Sequence, residues 1–289
     1  MTKIPIAEPK QSVDAYLARI KCLPPTPVVL IKLIDLFRKP DVDVDDIVQL
    51  LRRDPALSAE LLRRCNSSFF GNGEIIADIN EAVYRLGFYE VYQITLMLFG
   101  MRTLTGPNVV SGFPQAELRR HSSIAAIAAG AMAPEVGLPE GIAFATGLLH
   151  DLGKLIFAIA EGSKYVALMT RCAARKASLS QFETETYGFN HSELGSQLML
   201  HWGMPGEMAL SVLSHSNPAL PEKRGALSVL TQGASDLAIH VERKDCRAFS
   251  STPEGECVMR AFRLEVSQMD DWEDRVRTKI KQLDTTKPL

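Results

Sequence analysis

The chain has 289 residues, enough for one large domain or two small ones at about 100–200 residues per domain. Hydrophobic residues make up 46% and charged residues 23%, which is ordinary for a globular protein with ample core material. The net charge of -2 excludes a protein that coats nucleic acid or an anionic membrane through its overall charge.

Cysteines and apolar stretches indicate the cellular compartment of the protein. The five cysteines, none in a CxxC pair, are Cys22, Cys65, Cys172, Cys246 and Cys257. An odd count without such pairs, and no leader-like segment at the start, predict reduced thiols in the cytoplasm. The longest uncharged apolar stretches are Val91–Met101 and Ile124–Pro134. A membrane span needs ~20 apolar residues, so neither stretch is expected to cross a bilayer.

Apolar residues recur at helical spacing through nearly the whole chain. In the first half this predicts helices that begin near 28, 44, 55 and 79, the last running to about Leu104 with a break near Gly87. In the second half it predicts helices at Gln115–Ala133, Glu140–Ile159, Lys164–Ala177, Gln181–Tyr187, His191–Trp202, Pro205–His215 and Gly225–Arg243. No segment alternates with a period of two. The predicted fold is therefore all-α, a two-lobed helical bundle.

Composition divides the chain into three parts. Thr105–Pro114 is rich in Gly, Pro and Asn, which is typical of a connector between lobes. We therefore expect an N-terminal helical lobe at 1–110, a second helical lobe at 111–245, and a polar tail at 246–289. In the tail, acids at 270–274 precede bases at 275–281, an order that suits a helix dipole and predicts one short helix.

Histidines carry the clearest chemical signal. Five of the six lie between residues 121 and 215, and one is followed directly by an aspartate, as His150-Asp151. An adjacent imidazole and carboxylate suit a divalent cation that accepts nitrogen and oxygen ligands, such as iron, manganese or zinc. His121 and Asp236 are candidates to complete this site.

Further candidate ligands allow a second metal. His191 and His215 could supply it, and two metals ~3.5–4 Å apart can clamp a phosphoryl group and generate hydroxide. Glu117 lies one helical turn before His121, on the same face. The spacing leaves a plainer interpretation open, in which Asp151 caps the next helical turn beside a hydrogen-bonded histidine. His201 and His240 are interpreted as ordinary packed or surface residues.

Several motifs together resemble a known family. The segment LLHDLGK at 148–154 resembles the signature of the HD superfamily of metal-dependent phosphohydrolases. Other segments resemble the HDOD domain, in the same order along the chain: LPPTP at 23–27, DPAL at 54–57, CNSSFFG at 65–71, EAVYRLG at 81–87, GFNH at 188–191, HWGMP at 201–205 and HSNP at 215–218. The similarity covers roughly residues 15–245.

The resemblance implies an all-helical bacterial signal-transduction module related to the HD-GYP phosphohydrolases. The metal ligands that it implies are Glu117, His121, His150, Asp151, His191, His215 and Asp236. It also implies catalytic roles for Asp151 and Lys154 if the protein is an enzyme, with Lys154 near an anionic substrate. The cofactor it implies is a divalent metal (Fe, Mn, Zn, Ni or Mg), as one or two ions.

The sequence also departs from the HD-GYP pattern. Ser216 follows His215 where that pattern has two adjacent histidines, and no Gly-Tyr-Pro element comes after it. These differences argue against cyclic-di-GMP as a substrate. With one ligand position altered, we expect a single tight ion or a weak second one.

Two functions follow from these features. One is a regulatory module that binds signalling protein partners or a small ligand, and the other is a metal-dependent phosphohydrolase acting on a nucleotide or other phosphoester. DNA binding through the short helices at 43–52 and 55–66 is not favoured, because residues 43–66 carry five acids against four bases. No membrane partner is expected.

Overall fold

A computed structural model describes residues 12–20, 28–37, 44–66, 75–103, 110–216, 225–243 and 247–285. Helices make up most of these ranges, and no strand occurs within them. The all-α prediction is confirmed for the described part of the chain.

The first lobe holds five short helices that bury one face each and a sixteen-residue helix that is buried on all sides over residues 91–98. Their bounds are α1 Val13–Arg19, α2 Val28–Phe37, α3 Val44–Arg52, α4 Pro55–Cys65, α5 Ile79–Leu86 and α6 Phe88–Thr103. Side chains of Ser12, Asp54 and Asp78 accept backbone hydrogen bonds at the starts of α1, α4 and α5. The predicted break at Gly87 is confirmed, since its φ of 84° lies in the left-handed region that glycine tolerates best.

The second lobe continues with eight further helices in the described ranges. Their bounds are α7 Gln115–Met132, α8 Glu140–Leu149, α9 Leu152–Glu161, α10 Ser163–Arg175, α11 Leu179–Tyr187, α12 His191–His201, α13 Gly206–Ser214 and α14 Ala226–Glu242. α7 lies at the centre, in contact with α8, α14 and the C-terminal helix. Its buried alanines allow close approach, and the Gly147 backbone of α8 lies against Ala125.

One predicted helix was wrong in its extent. We expected a single helix over Glu140–Ile159, but the chain leaves the helix at His150 and Asp151, between α8 and α9. Leu149 before the break and Leu152 after it are both fully buried, so no change in the apolar pattern of the sequence marks the break. The break places two adjacent polar side chains in the interior.

The tail also differs from the prediction. In place of one short helix, it holds a ten-residue helix, α15 Pro253–Phe262, and a twenty-residue helix, α16 Val266–Thr285. The order of acids and bases correctly indicated a helix, but the apolar residues spaced along α16 decide its packing. They are Met269, Trp272, Val276 and Ile280, all buried. The Trp272 indole donates to the Ala128 carbonyl at 2.8 Å, so this helix belongs to the core around α7.

The two predicted lobes touch, since α1 contacts α12 and α2 and α6 contact α8. The boundaries expected at 110 and 245 stay predictions. Several predicted features lie outside the described residues, namely LPPTP at 23–27, residues 67–71 of the CNSSFFG motif, the connector from 105 to 109, and residues 217–218.

One described stretch has the length and apolar composition of a membrane span. It is Glu140–Glu161, which covers α8 and α9, and 89% of its apolar window is buried inside the protein. Burial of this extent is expected of core helices in a globular fold, and the stretch is weak support for membrane insertion.

Candidate metal centre

Five of the seven predicted ligands come together from four separate places in the second lobe. His121 lies in α7, His150 and Asp151 lie in the break between α8 and α9, His191 begins α12, and His215 follows α13. A capping box formed by Asn190 and Glu193 fixes the start of α12. It therefore fixes the backbone of the first residue in that helix, His191.

The Asp151 carboxylate lies at the centre of the four imidazoles and is 1% exposed. Nε2 of His150 and of His121 lie 3.4 and 3.7 Å from Oδ2. Nε2 of His191 and of His215 each lie 3.6 Å from Oδ1. These distances exceed a hydrogen bond of ~2.7–3.2 Å. They match the separation of two ligand atoms that each lie ~2.0–2.2 Å from one ion.

Acceptor groups set the orientation of three of the rings. Nδ1 of His150 lies 2.7 Å from the Gly147 carbonyl, and Nδ1 of His215 lies 2.7 Å from the Val212 carbonyl. A carbonyl oxygen only accepts, so each Nδ1 carries the proton and donates it. The neutral ring then directs the lone pair of Nε2 toward Asp151.

Glu183 orients the third ring, that of His191, and was not predicted from the sequence. Its carboxylate is fully buried and accepts hydrogen bonds from the His191 backbone N–H at 2.8 Å and from His191 Nδ1 at 2.6 Å. It also accepts from the Tyr165 hydroxyl at 2.6 Å. A carboxylate in this position orients a metal-ligating imidazole and raises its basicity. One signal could have found it: Glu183 shares the apolar face of α11 with Leu179 and Tyr187.

The cluster combines neutral imidazoles with an ionised carboxylate and an ammonium group. Burial holds the pKa of His150 well below its ordinary value and also lowers the pKa of His215, so both rings are neutral at pH 7. Burial opposes ionisation of Asp151, but the Lys154 ammonium in contact with it outweighs burial and holds the pKa of this carboxyl well below its usual range. The Lys154 ammonium donates to Asp151 Oδ2 at 2.6 Å.

The residues fit a divalent cation. His150 Nε2 and Asp151 Oδ1 are buried and have no hydrogen-bond partner. Lone pairs of neutral imidazoles therefore face an ionised carboxylate, an arrangement that costs free energy unless a cation lies between them. Imidazole and carboxylate ligands together suit iron, manganese or zinc.

Two predicted ligands lie outside these clusters. The ligand atoms that lie within 4.8 Å of one another belong to His121, His150 and Asp151, and to Asp151, His191 and His215. Glu117 is exposed, and Asp236 is half-buried. Helix α14 also brings Ser235 to the cluster, since Ser235 Oγ lies 3.2 Å from His121 Nε2. The ligand roles of Glu117 and Asp236 stay predictions.

Further polar side chains lie beside His121 and His215. Nδ1 of His121 lies 3.2 Å from Glu242 Oε2. Ser216, the residue that departs from the HD-GYP pattern, is half-buried beside His215, and its hydroxyl contacts that of Ser192. No sequence pattern singles out Ser192 or Glu242.

We expect the metal-free protein to lose stability as the pH falls from about 7 to about 5. His150 and His215 have pKa values below their unfolded value of ~6.5, so the unfolded chain takes up protons that the folded chain does not. The free energy of unfolding then falls with pH, by up to ~1.4 kcal/mol per pH unit for each histidine.

Urea unfolding in the presence of a chelator, at three pH values across this range, measures the slope. His150→Gln should flatten it, while a substitution at the exposed His201 should leave it unchanged. A slope that His150→Gln leaves unaltered would contradict this account of the buried rings.

Comparison with known proteins finds one matching domain family and several relatives. Residues 23–218 match the model of the HDOD domain. An uncharacterized protein of Treponema pallidum is 28% identical over 206 residues, which are 71% of this chain and 40% of that protein. Ribonuclease Y of Acholeplasma laidlawii is 29% identical over 161 residues, 55% of this chain and 23% of that protein. The chain thus spans less than half the length of these relatives.

Solved structures share the fold. An HDOD domain protein from Geobacter sulfurreducens superposes with a TM-score of 0.77 at 20% identity, covering 93% of this chain and 94% of that chain. A candidate phosphohydrolase from Shewanella amazonensis gives 0.71 at 20% identity, with 91% and 93% covered. A candidate signal-transduction protein from Marinobacter aquaeolei gives 0.68 at 24% identity, with 92% and 58% covered.

Proposed function

Because this chain belongs to the HDOD domain family, we propose that it is a bacterial regulatory module whose second lobe is built around a divalent-cation site. The observation that carries the proposal is the Asp151 carboxylate among four imidazoles, with two buried polar atoms that have no hydrogen-bond partner. Buried polar groups without hydrogen-bond partners lower the stability of a fold unless an ion or ligand satisfies them. The module acts through signalling protein partners or a small ligand.

The residues that would hold the metal are His121, His150, Asp151, His191 and His215. A divalent cation (Fe, Mn, Zn, Ni or Mg, as one or two ions) supplies a Lewis acid that polarises a phosphoryl oxygen and acidifies bound water. Glu183 keeps the proton of His191 on Nδ1 and so leaves Nε2 free to coordinate.

Two residues of the cluster have exposed surface. The side chains of His121 and Lys154 are 13% and 22% exposed, whereas the rest of the cluster is buried. A ligand therefore approaches past these two residues. The ammonium of Lys154 at this opening favours an anion, which is consistent with a nucleotide or another phosphoester as the ligand.

A second candidate function is hydrolysis of such a phosphoester at the same site. It is favoured by the same opening and by the similarity to ribonuclease Y, a nuclease by name. In this function Asp151 would hold the metal and Lys154 would contact the anionic substrate. Cyclic-di-GMP is not the expected substrate, because the Gly-Tyr-Pro element is missing and Ser216 stands in place of a histidine.

An assay with metal-loaded protein separates the two functions. Nitrophenyl phosphomonoesters and phosphodiesters, nucleotides and cyclic-di-GMP are incubated with the wild type and with Asp151→Asn. The regulatory function predicts metal binding without turnover above the variant, and no hydrolysis of cyclic-di-GMP. Turnover that requires Asp151 would instead make the protein an enzyme, and failure of the wild type to bind metal would contradict both functions.

A further inference from the structure

A cavity of about 520 Å³ lies where α6, α7, α8 and the tail helix α16 meet. Its volume is in the range of pockets that bind small molecules, about 300–1,000 Å³. Both predicted lobes and the tail contribute side chains to its wall, and none of these side chains belongs to the histidine cluster around Asp151. The cavity is therefore a candidate ligand site separate from the candidate metal centre.

Part of the cavity wall is apolar. Ile127 and Ala131 lie one turn apart on α7, and Pro134 follows shortly after the end of this helix. Apolar surface that borders a cavity has no protein atoms against it on that side. The apolar part of a ligand would fill this space and remove the surface from water, which is favourable.

A chain of hydrogen bonds fixes a carboxylate in the same wall. The Lys279 ammonium donates to Gln93 Oε1 at 3.0 Å, and Gln93 Nε2 donates to the Tyr89 hydroxyl at 2.6 Å. The Tyr89 hydroxyl has one proton of its own and donates it to Glu140. Burial raises the pKa of the Glu140 carboxyl, because the surrounding protein disfavours its negative charge. A cation in contact with Glu140 would offset this cost.

The two cationic side chains at the cavity already have anionic partners. Lys279 Nζ lies 3.6 Å from Glu90 Oε2. The Arg275 guanidinium pairs with Glu135 and also with Asp271, the latter at 3.0 Å. An anionic ligand would have to displace one of these carboxylates.

Two carboxylates at the cavity differ in this respect. They belong to Glu140 at the start of α8 and to Asp274 in α16. No lysine or arginine in the described part of the chain forms an ion pair with either of them. The cavity thus combines apolar surface with two carboxylates that a cationic ligand would neutralise.

We propose that this cavity binds a small organic amine, with the protonated nitrogen near Glu140 and Asp274 and the apolar part against Ile127 and Ala131. An alkylammonium group is charged at pH 7, as the lysine side chain is, with a pKa of ~10.4. The proposal goes beyond the proposed function and does not depend on a bound metal. Because the site joins α6, α7, α8 and α16, a bound amine stabilises the folded chain as a whole.

Hexylamine is the probe that tests the charge requirement. Hexanol and hexanoate have the same chain length but are neutral and anionic. Binding to the full chain is measured by calorimetry and by the midpoint of thermal unfolding, with a chelator present. At ten times its Kd, hexylamine should raise the midpoint by about 3 °C or more. Hexanoate should leave it unchanged, and hexanol should bind about 10-fold or more weakly than hexylamine.

Two variants locate the site. Glu140→Gln keeps an acceptor for Tyr89 but removes the charge, so the affinity for hexylamine should fall about 10-fold or more. Ala131→Leu changes no charge but fills the space beside Ile127, and it should abolish binding. Glu256→Gln, at an exposed position of α15, is the matched control and should bind as the wild type. Circular dichroism checks that each variant is folded.

Four results would overturn the proposal. Hexanoate binding as tightly as hexylamine would mean that the cavity selects anions. Unchanged affinity for hexylamine in Glu140→Gln would mean that this carboxylate does not bind the amine, and unchanged affinity in Ala131→Leu would place the amine outside the cavity. The fourth result is a wild-type protein that binds no hexylamine at concentrations up to ~10 mM. None of these results bears on the metal site.

Discussion

Asp151→Asn is expected to lower the affinity for a divalent cation about 100-fold or more while leaving the metal-free protein folded. The carboxylate is the one anionic ligand shared by both halves of the cluster, and neutral imidazoles alone do not balance the charge of a divalent cation. The amide that replaces it has nearly the same shape. Binding should therefore be lost without a gap in the packing.

The same variant should lose only a small part of its stability relative to the metal-free wild type, because new hydrogen bonds offset the lost contact with Lys154. In the wild type, imidazole lone pairs face a carboxylate that cannot donate, whereas an asparagine amide has two N–H donors to offer. Lys154 loses its partner, but its side chain is 22% exposed and can reach water. Urea unfolding in chelator compares the two proteins, and Asp271→Asn, at a side chain that is 67% exposed, is the control.

Two outcomes would contradict this prediction. Affinity of Asp151→Asn within about 10-fold of the wild type would mean that the carboxylate does not bind the cation. A large loss of stability in the metal-free variant would mean that Asp151 stabilises the fold through its ion pair with Lys154. This structural role would then replace the proposed role as a metal ligand.

Gly153→Ala is expected to destabilise the protein by about 3 kcal/mol or more. A Cβ atom at this position of α9 would lie 1.9 Å from the carbonyl oxygen of His191 and 2.9 Å from the backbone nitrogen of Gly195. Both obstacles are backbone, so α9 and α12 would have to separate. Overpacking a core typically costs ~1–3 kcal/mol, and a backbone clash lies at or above the upper end.

The separation should also weaken the metal site, because the clash is with His191 itself. Gly206→Ala is the matched control: this glycine begins α13, and a Cβ there would meet nothing within 4 Å. Alanine in place of an unconstrained glycine is neutral or stabilising, by up to ~1 kcal/mol. Chemical unfolding of both variants measures the difference, and equal stability would contradict the close crossing of α9 and α12.

Most helices were predictable from the sequence because they bury one face, which leaves an apolar pattern with a period of 3.6 residues. That pattern fails where all faces are buried. At His150 and Asp151 apolar residues lie on both sides, so periodicity could not mark the break between α8 and α9. In the tail, the many charged residues concealed the four apolar residues of α16 that are buried in the core.

The candidate site was also predictable only in part. His150 and Asp151 were recognisable because they are adjacent, and His121, His191 and His215 because they match a family pattern. Glu183 acts through His191, so no spacing of metal ligands could reveal it. The contact of Ser235 with His121 depends on the rotation of α14 about its axis, about 100° per residue, which no sequence pattern of one chain gives to that accuracy.

The most direct test of the central claim is the metal content of the protein purified without chelator, measured by elemental analysis after exhaustive dialysis. We predict about one equivalent of a divalent transition metal per chain in the wild type and almost none in Asp151→Asn. A wild-type protein that carries no metal, and that takes up none from buffers containing Fe²⁺, Mn²⁺ or Zn²⁺, would contradict the account.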